Sequence, residues 1–133
     1  MAEFDHETTI DVRFRDLDTM GHVNNAVYAT YLERGRVEYI EDVIGESLPD
    51  ISGVVADLHI DFEEPIEYGQ TVTVAVRAGD LGTSSVRLEY EVRADGDLAA
   101  TAETRVVVVD PDTGDPAPVP DVWRERIRDH ENL

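Results

Sequence analysis

The sequence predicts an α+β fold in which a strongly curved antiparallel sheet wraps one long helix. Three observations lead there: an alternating segment ahead of residue 16, a helical pattern from about 25 to 44 with a glycine in its middle, and four alternating segments after it, the last three joined by short links. Other α+β arrangements share that order, because a pattern of elements does not fix which strands are neighbours.

Residues Thr8 to Phe14 alternate as a first strand, with Ile10, Val12 and Phe14 expected on one face and Asp11, Arg13 and Arg15 on the other. A polar segment follows directly. Asn24 or Asn25 can cap a helix by accepting a bond from its free first-turn amides, and the helical pattern runs to about Ile44 before Gly45. Tyr28, Leu32, Tyr39 and Val43 recur at spacings that line one face. Gly35 costs a helix interior about 1 kcal/mol relative to alanine, which is tolerable where the helix must approach another backbone closely.

After a turn at Pro49, Val54, Ala56, Leu58, Ile60 and Phe62 alternate with Val55, Asp57, His59, Asp61 and Glu63, a half-buried strand pattern. Thr71 to Ala78, Ser84 to Arg93 and Leu98 to Val109 then read as a meander. Its links, Gly79 to Thr83 and Asp95-Gly96-Asp97, suit antiparallel hairpins. Pro111 to Pro120 carries four prolines and reads as a turn-rich linker, after which Val122 to His130 forms a short helix with Trp123 and Ile127 on one face.

A chain of 133 residues suffices for a single domain, 1–133, ending in an extension, 111–133. So small a core favours a pocket shared with a second subunit. Thirty acidic residues face eleven basic ones, all arginine, for a formal charge of -19, which repels nucleic acid and anionic membranes. The composition fits either an ordinary polyanionic surface or a protein kept soluble in molar salt, and the complete loss of lysine favours the halophilic reading. There is no cysteine, hence no disulfide or thiol nucleophile. With no export-like segment and no run near the roughly 20 apolar residues of a membrane span, a cytoplasmic location is expected.

The chemistry concentrates in Asp16 to Asn25, where a strand gives way to a helix. Free N–H groups at a helix start can polarise a carbonyl, while a nearby carboxylate attacks its carbon or activates water; acyl transfer to water needs both. Asp18 with the Asn25 amide supplies that pair if the intervening turn folds back. His22 can orient water or the carboxylate, or simply hold loop backbone. Gly21 permits a tight turn, and Met20 packs or lines an acyl channel. Asp16, Asp18, Asp57, His22 and His59 carry no familiar metal spacing, so no metal is expected. Asp57 and His59 are expected at solvent or at a subunit interface. No glycine-rich phosphate loop occurs, leaving Arg34, Arg36, Arg87 and Arg105 as candidate contacts to a phosphorylated thioester carrier.

The stretch Val12-Arg13-Phe14-Arg15-Asp16-Leu17-Asp18-Thr19-Met20-Gly21-His22-Val23-Asn24-Asn25, followed by Tyr28, Tyr31, Glu33 and Arg36, resembles the hot-dog-fold acyl-CoA thioesterases, in the 4-hydroxybenzoyl-CoA thioesterase-like branch. The resemblance continues through Ala56 to Phe62, Pro65 and Tyr68-Gly69-Gln70, covering roughly residues 6 to 110. It implies a hot-dog fold whose protomers join their sheets as a homodimer, or a dimer-of-dimers tetramer, with paired sites at the interface. It further implies hydrolysis of acyl-CoA to a carboxylic acid and free CoA without a cofactor. Asp18 is then the carboxylate at the thioester, Asn25 the helix-start amide, and Asp16 a positioning residue. His22, Thr19, Gly21 and Asn24 support substrate or water, and Tyr28 and Tyr31 are acyl-pocket walls or packing residues. Gly21 to Asn25 departs from the aromatic-rich residues of the hydroxybenzoyl-specific enzyme, which points to a linear acyl chain. The alternatives are a non-catalytic acyl-CoA or acyl-carrier-protein binding module and a hot-dog hydroxyacyl-thioester dehydratase.

Overall fold

The computed structural model of the chain describes residues 4–45 and 53–132; the expected Pro49 turn lies outside them. β1 (His6–Asp11) and a 3-10 turn (Phe14–Asp16) lead into α1 (Asn25–Tyr39), which runs on into a π-helical stretch, Ile40–Ile44. β2 (Gly53–Phe62), β3 (Thr71–Leu81), β4 (Ser85–Ala94), β5 (Asp97–Val108) and α2 (Asp121–Glu131) follow. The strands form one antiparallel sheet in the order β1-β3-β4-β5-β2, curved around α1 in a hot-dog fold.

The helix is where its caps predict. Asn24 sits in extended conformation and its Oδ1 accepts from Ala26 N at 2.8 Å, which satisfies one of the free first-turn donors. At the other end Gly45 has φ +82° and returns its N–H to Ile40 O at 2.9 Å. Tyr28, Leu32 and Tyr39 are buried against the sheet. A Cβ on Gly35 would lie 2.7 Å from Val74 Cγ1 and 3.1 Å from Val76 Cγ2, so only glycine lets the helix lie this close to β3.

The meander supplies the rest of the core. Val72, Val74 and Val76 of β3 and Val86, Leu88, Tyr90 and Val92 of β4 point inward, as their alternation requires. Asp95 (φ 50°) and Gly96 (φ 87°) both adopt positive φ, the backbone of a type I′ hairpin turn. Outside, arginines pair with carboxylates on neighbouring strands: Arg77 with Glu89 at 2.6 Å, Arg87 with Glu103 and Arg105 with Asp57 at 3.0 Å. α2 closes one end through Ile127, which is fully buried, and the preceding linker adds Val119 to the core.

Two expectations are corrected. Phe14 does not share the inner face with Ile10 and Val12: the chain leaves the strand after Asp11, and the 3-10 turn swings Phe14 out to 79% exposure. β2 is not half-buried but exposed along nearly its whole length: it is a sheet edge, and Ile60 and the Phe62 ring, which meets Tyr28, make its contacts to the interior. Its register with β5 also slips between Val55 and Asp57, which opposes Gly53 and Val55 to the inward-facing side of β5 and breaks the simple alternation.

Candidate active site

The polar segment folds back on itself through main-chain bonds. Asp18 N donates to His22 O at 2.7 Å, Gly21 N to Asp18 O at 3.1 Å, and Gly21 takes φ +81° to close the turn. The Asp18 side chain holds the same turn: its Oδ1 accepts from Met20 N at 2.9 Å and from His22 N at 3.2 Å. Oδ2 has no hydrogen bond among the described residues. One carboxylate oxygen is thus committed to shape while the other keeps its capacity.

This turn is pinned to the rest of the fold on two sides. Val23 N donates to Ile66 O and Asn24 N to Asp16 O, both at 2.8 Å, so the helix start is tied to the loop after β2 and to the end of the 3-10 turn. Asn25 occupies the first position of α1, where its N–H has no intrahelical acceptor. Asp18, His22, Asn25 and Tyr28 line one cleft of about 220 Å³, together with Phe62 and Pro65. The Tyr28 and Phe62 rings meet edge to face at 4.9 Å, and burial raises the Tyr28 phenol above its ordinary pKa. The lining thus includes the first residue of a helix and a carboxylate-bearing side chain, the two kinds of group that acyl transfer to water requires.

The other sequence-predicted residues take different places. Asn24 caps the helix, Gly21 makes the turn, and Thr19 is exposed on the turn; none of the three lines the cleft. Tyr31 is buried beyond the cleft, with its hydroxyl donating to Asp16 Oδ2 at 2.8 Å; burial and this bond raise its pKa strongly. Asp16 Oδ2 also accepts from Arg13 N at 2.9 Å, so it organises the segment. Asp57 and His59 lie exposed on β2, bonded to Arg105 and to Asp61. All four candidate carrier-binding arginines face a carboxylate: Arg34 with Glu38, Arg36 with Glu33, Arg87 with Glu103 and Arg105 with Asp57. The cleft walls Phe62, Glu63 and Glu64 escaped sequence reasoning, where Phe62 reads only as a core position of β2.

Among the described residues no three His, Cys, Asp or Glu side chains converge to hold a metal ion, and no helix is long and apolar enough to cross a membrane.

Comparison with known proteins agrees with this architecture. A family model described as the thioesterase-like superfamily matches residues 12–127. A chloroplastic acyl-acyl carrier protein thioesterase of Arabidopsis thaliana is 38% identical over 96 residues, covering 68% of this chain and 48% of that protein. The chain spans about half the length of the curated plant relatives it matches. A crystal structure of a Thermus thermophilus thioesterase complexed with coenzyme A and zinc superposes with a TM-score of 0.92 at 42% identity, covering 100% of this chain and 98% of that one. By the span of the family match and the site it encloses, the chain belongs to the thioesterase-like superfamily.

Proposed function

We propose that the chain hydrolyses acyl thioesters of coenzyme A, releasing a carboxylic acid and the free thiol. The observation that carries this reading is the single cleft shared by the Asp18 carboxylate and Asn25 at the helix start. The coenzyme A bound to the Thermus relative supports the same substrate class. The thioester carbonyl accepts from the Asn25 N–H, which stabilises the oxyanion as the carbon becomes tetrahedral. Asp18 acts in one of two balanced ways. It attacks the carbon, expelling thiolate and leaving a mixed anhydride that water opens; or it takes a proton from attacking water and returns it to the departing thiolate. His22 orients the water or the carboxylate.

A second reading rests on a specific observation: Asp18 Oδ1 already accepts two main-chain bonds of its own turn, the behaviour of a purely structural aspartate. On that reading the cleft binds acyl-CoA or an acyl-carrier protein without turnover. Thiol release from short, long and aromatic acyl-CoA substrates in high potassium chloride separates the two. Saturable binding with no release across the panel would sink the hydrolase.

The working unit we propose is a homodimer, alone or paired into a tetramer, joined edge to edge through β2. Val54, Leu58 and Phe62 are each between 44% and 53% exposed there, on a strand whose outer edge has no strand partner among the described residues. Unpaired edges of this kind are pairing templates, and Phe62 lines the cleft, so a second protomer would adjoin the site. A mass of one protomer by light scattering at micromolar concentration would overturn this. A cytoplasmic, high-salt setting remains our reading of the composition.

A further inference from the structure

In a chain with 30 carboxylates, an arginine without a partner is the exception. Six of the eleven arginines pair with carboxylates: Arg34, Arg36, Arg77, Arg87, Arg93 and Arg105. Two more are used on main-chain carbonyls, Arg124 at Gly82 and Thr83 and Arg126 at Ile44. Of the remaining three, Arg128 lies on α2. Arg13 and Arg15 flank Phe14 at the 3-10 turn, and neither side chain has an ion pair or hydrogen bond among the described residues.

Both also line one hollow of about 500 Å³ between β1 and the outer side of α1. This hollow adjoins the cleft. Tyr31 walls one and Tyr28 the other, with ring centroids 6.5 Å apart, and the main-chain oxygen of Asp16, also at the hollow, holds Asn24 N at the helix start. The carrier tail of a thioester held at Asn25 would reach this hollow by leaving on the Tyr31 side of the cleft.

We infer that Arg13 and Arg15 hold a phosphate of the thioester's carrier, the chemistry shared by coenzyme A and a phosphopantetheinylated carrier protein. The inference rests on the thioester reading of the cleft. Guanidinium forks match phosphate oxygens in a bidentate manner, and side chains free of partners give up no ion pair to do so. Asp11, Asp16 and Glu33 line the same hollow, so the attraction acts at contact range rather than through a broad positive field. Asp16 is already committed to Arg13 N and Tyr31, and Glu33 lies 3.7 Å from Arg36. The hollow on the outer sheet face is a poorer candidate: its one arginine, Arg77, is paired, and Asp61, Glu89, Glu91 and Glu103 line it.

The test compares three thioesters carrying one acyl group: acyl-CoA, acyl-phosphopantetheine and acyl-pantetheine, the last without phosphate. In an Arg13→Gln/Arg15→Gln variant, KM for acyl-CoA rises about tenfold or more while kcat changes little, and KM for acyl-pantetheine stays at its wild-type value. An equal rise for acyl-phosphopantetheine assigns the phosphate that coenzyme A and a carrier protein share; a rise confined to acyl-CoA assigns the nucleotide phosphates. Unchanged KM for both phosphorylated thioesters, or an equal rise for acyl-pantetheine, overturns the inference. The Arg13→Lys/Arg15→Lys variant, which keeps charge but loses the forks, is expected to fall between, and melting curves for both variants check the fold. If the wild type turns over no thioester, calorimetric binding of free coenzyme A to wild type and variant still decides: equal affinity overturns the assignment even though hydrolysis has separately failed.

Discussion

The central helix is finished differently at its two ends. At its amino end Asn24 satisfies one first-turn amide, Asn25 begins the helix at an open cleft, and Asp18 keeps one oxygen without a hydrogen bond among the described residues. At its carboxyl end the Tyr39 hydroxyl donates to Glu131 Oε2 at 2.6 Å, and the same oxygen accepts Ala78 N at 2.7 Å. The His6 and His130 rings stand edge-on to Tyr39 at 5.6 and 5.7 Å, and Arg126 donates to Ile44 O. Residual hydrogen-bonding capacity is what a reacting carbonyl needs, whereas the Tyr39–Glu131–Ala78 bonds hold the helix in place, even though His6 Nδ1 and His130 Nε2 beside them are buried without a partner among the described residues. One helix thus borders the candidate site at one end and is anchored at the other.

Substitutions at the two ends should therefore separate activity from stability. The largest effect is expected from Asp18→Asn, which keeps an oxygen acceptor for Met20 N and His22 N but removes the charge. Turnover should fall at least roughly 10²-fold while the melting curve barely moves; unchanged turnover would reduce Asp18 to a turn residue. Tyr39→Phe should do the reverse, lowering unfolding free energy by about 1.5–3 kcal/mol through loss of a bond to a carboxylate, with acyl-CoA turnover intact.

The same phenol predicts a pH dependence. Burial first, then the Glu131 bond, raise its pKa well above the ordinary 10.0. Its contribution is therefore complete below pH about 10 and declines above it, as the unfolded chain ionises and the folded one does not, by up to about 1.4 kcal/mol per pH unit. Denaturant titrations between pH 9 and 11 should show that slope reduced in the phenylalanine variant. The smallest change is expected from Asn24→Ala: about 1 kcal/mol of cap energy, together with a modest loss of turnover because Asn25 follows the cap. A loss of stability alone would separate the cap from the site.

Much of this anatomy is legible in the residues because local rules act alone there. Asn24 and Gly45 bound the helix, Asp95-Gly96 specifies a hairpin, and alternation through β3 and β4 gives the inner face. Reading fails where a residue's surroundings come from elsewhere. The alternation of β2 is the same whether its apolar side meets a core of its own chain or a second copy, and no local signal marks the slip between Val55 and Asp57. At the site, the turn brings Asp18, His22 and Asn25 to one cleft with Tyr28. Tyr31, one helical turn beyond Tyr28, is instead drawn to Asp16 in a pairing no spacing announces. The candidate arginines chosen from sequence face carboxylates brought near by folding, which leaves Arg13 and Arg15 as the informative pair.

The guanidinium–carboxylate lattice on the outside of the sheet has a chemical consequence of its own. Activated acyl groups transfer spontaneously to amines and thiols, and lysine side chains, in their deprotonated amine form, are the usual acceptors in proteins. Here every cationic side chain is an arginine, which does not lose its proton, and no cysteine is present. The sequence thus offers a reactive thioester neither a lysine amine nor a thiol to acylate by accident. Prolonged incubation with excess acyl-CoA should leave the mass of its internal peptides unchanged, where a lysine-bearing surface would accumulate adducts.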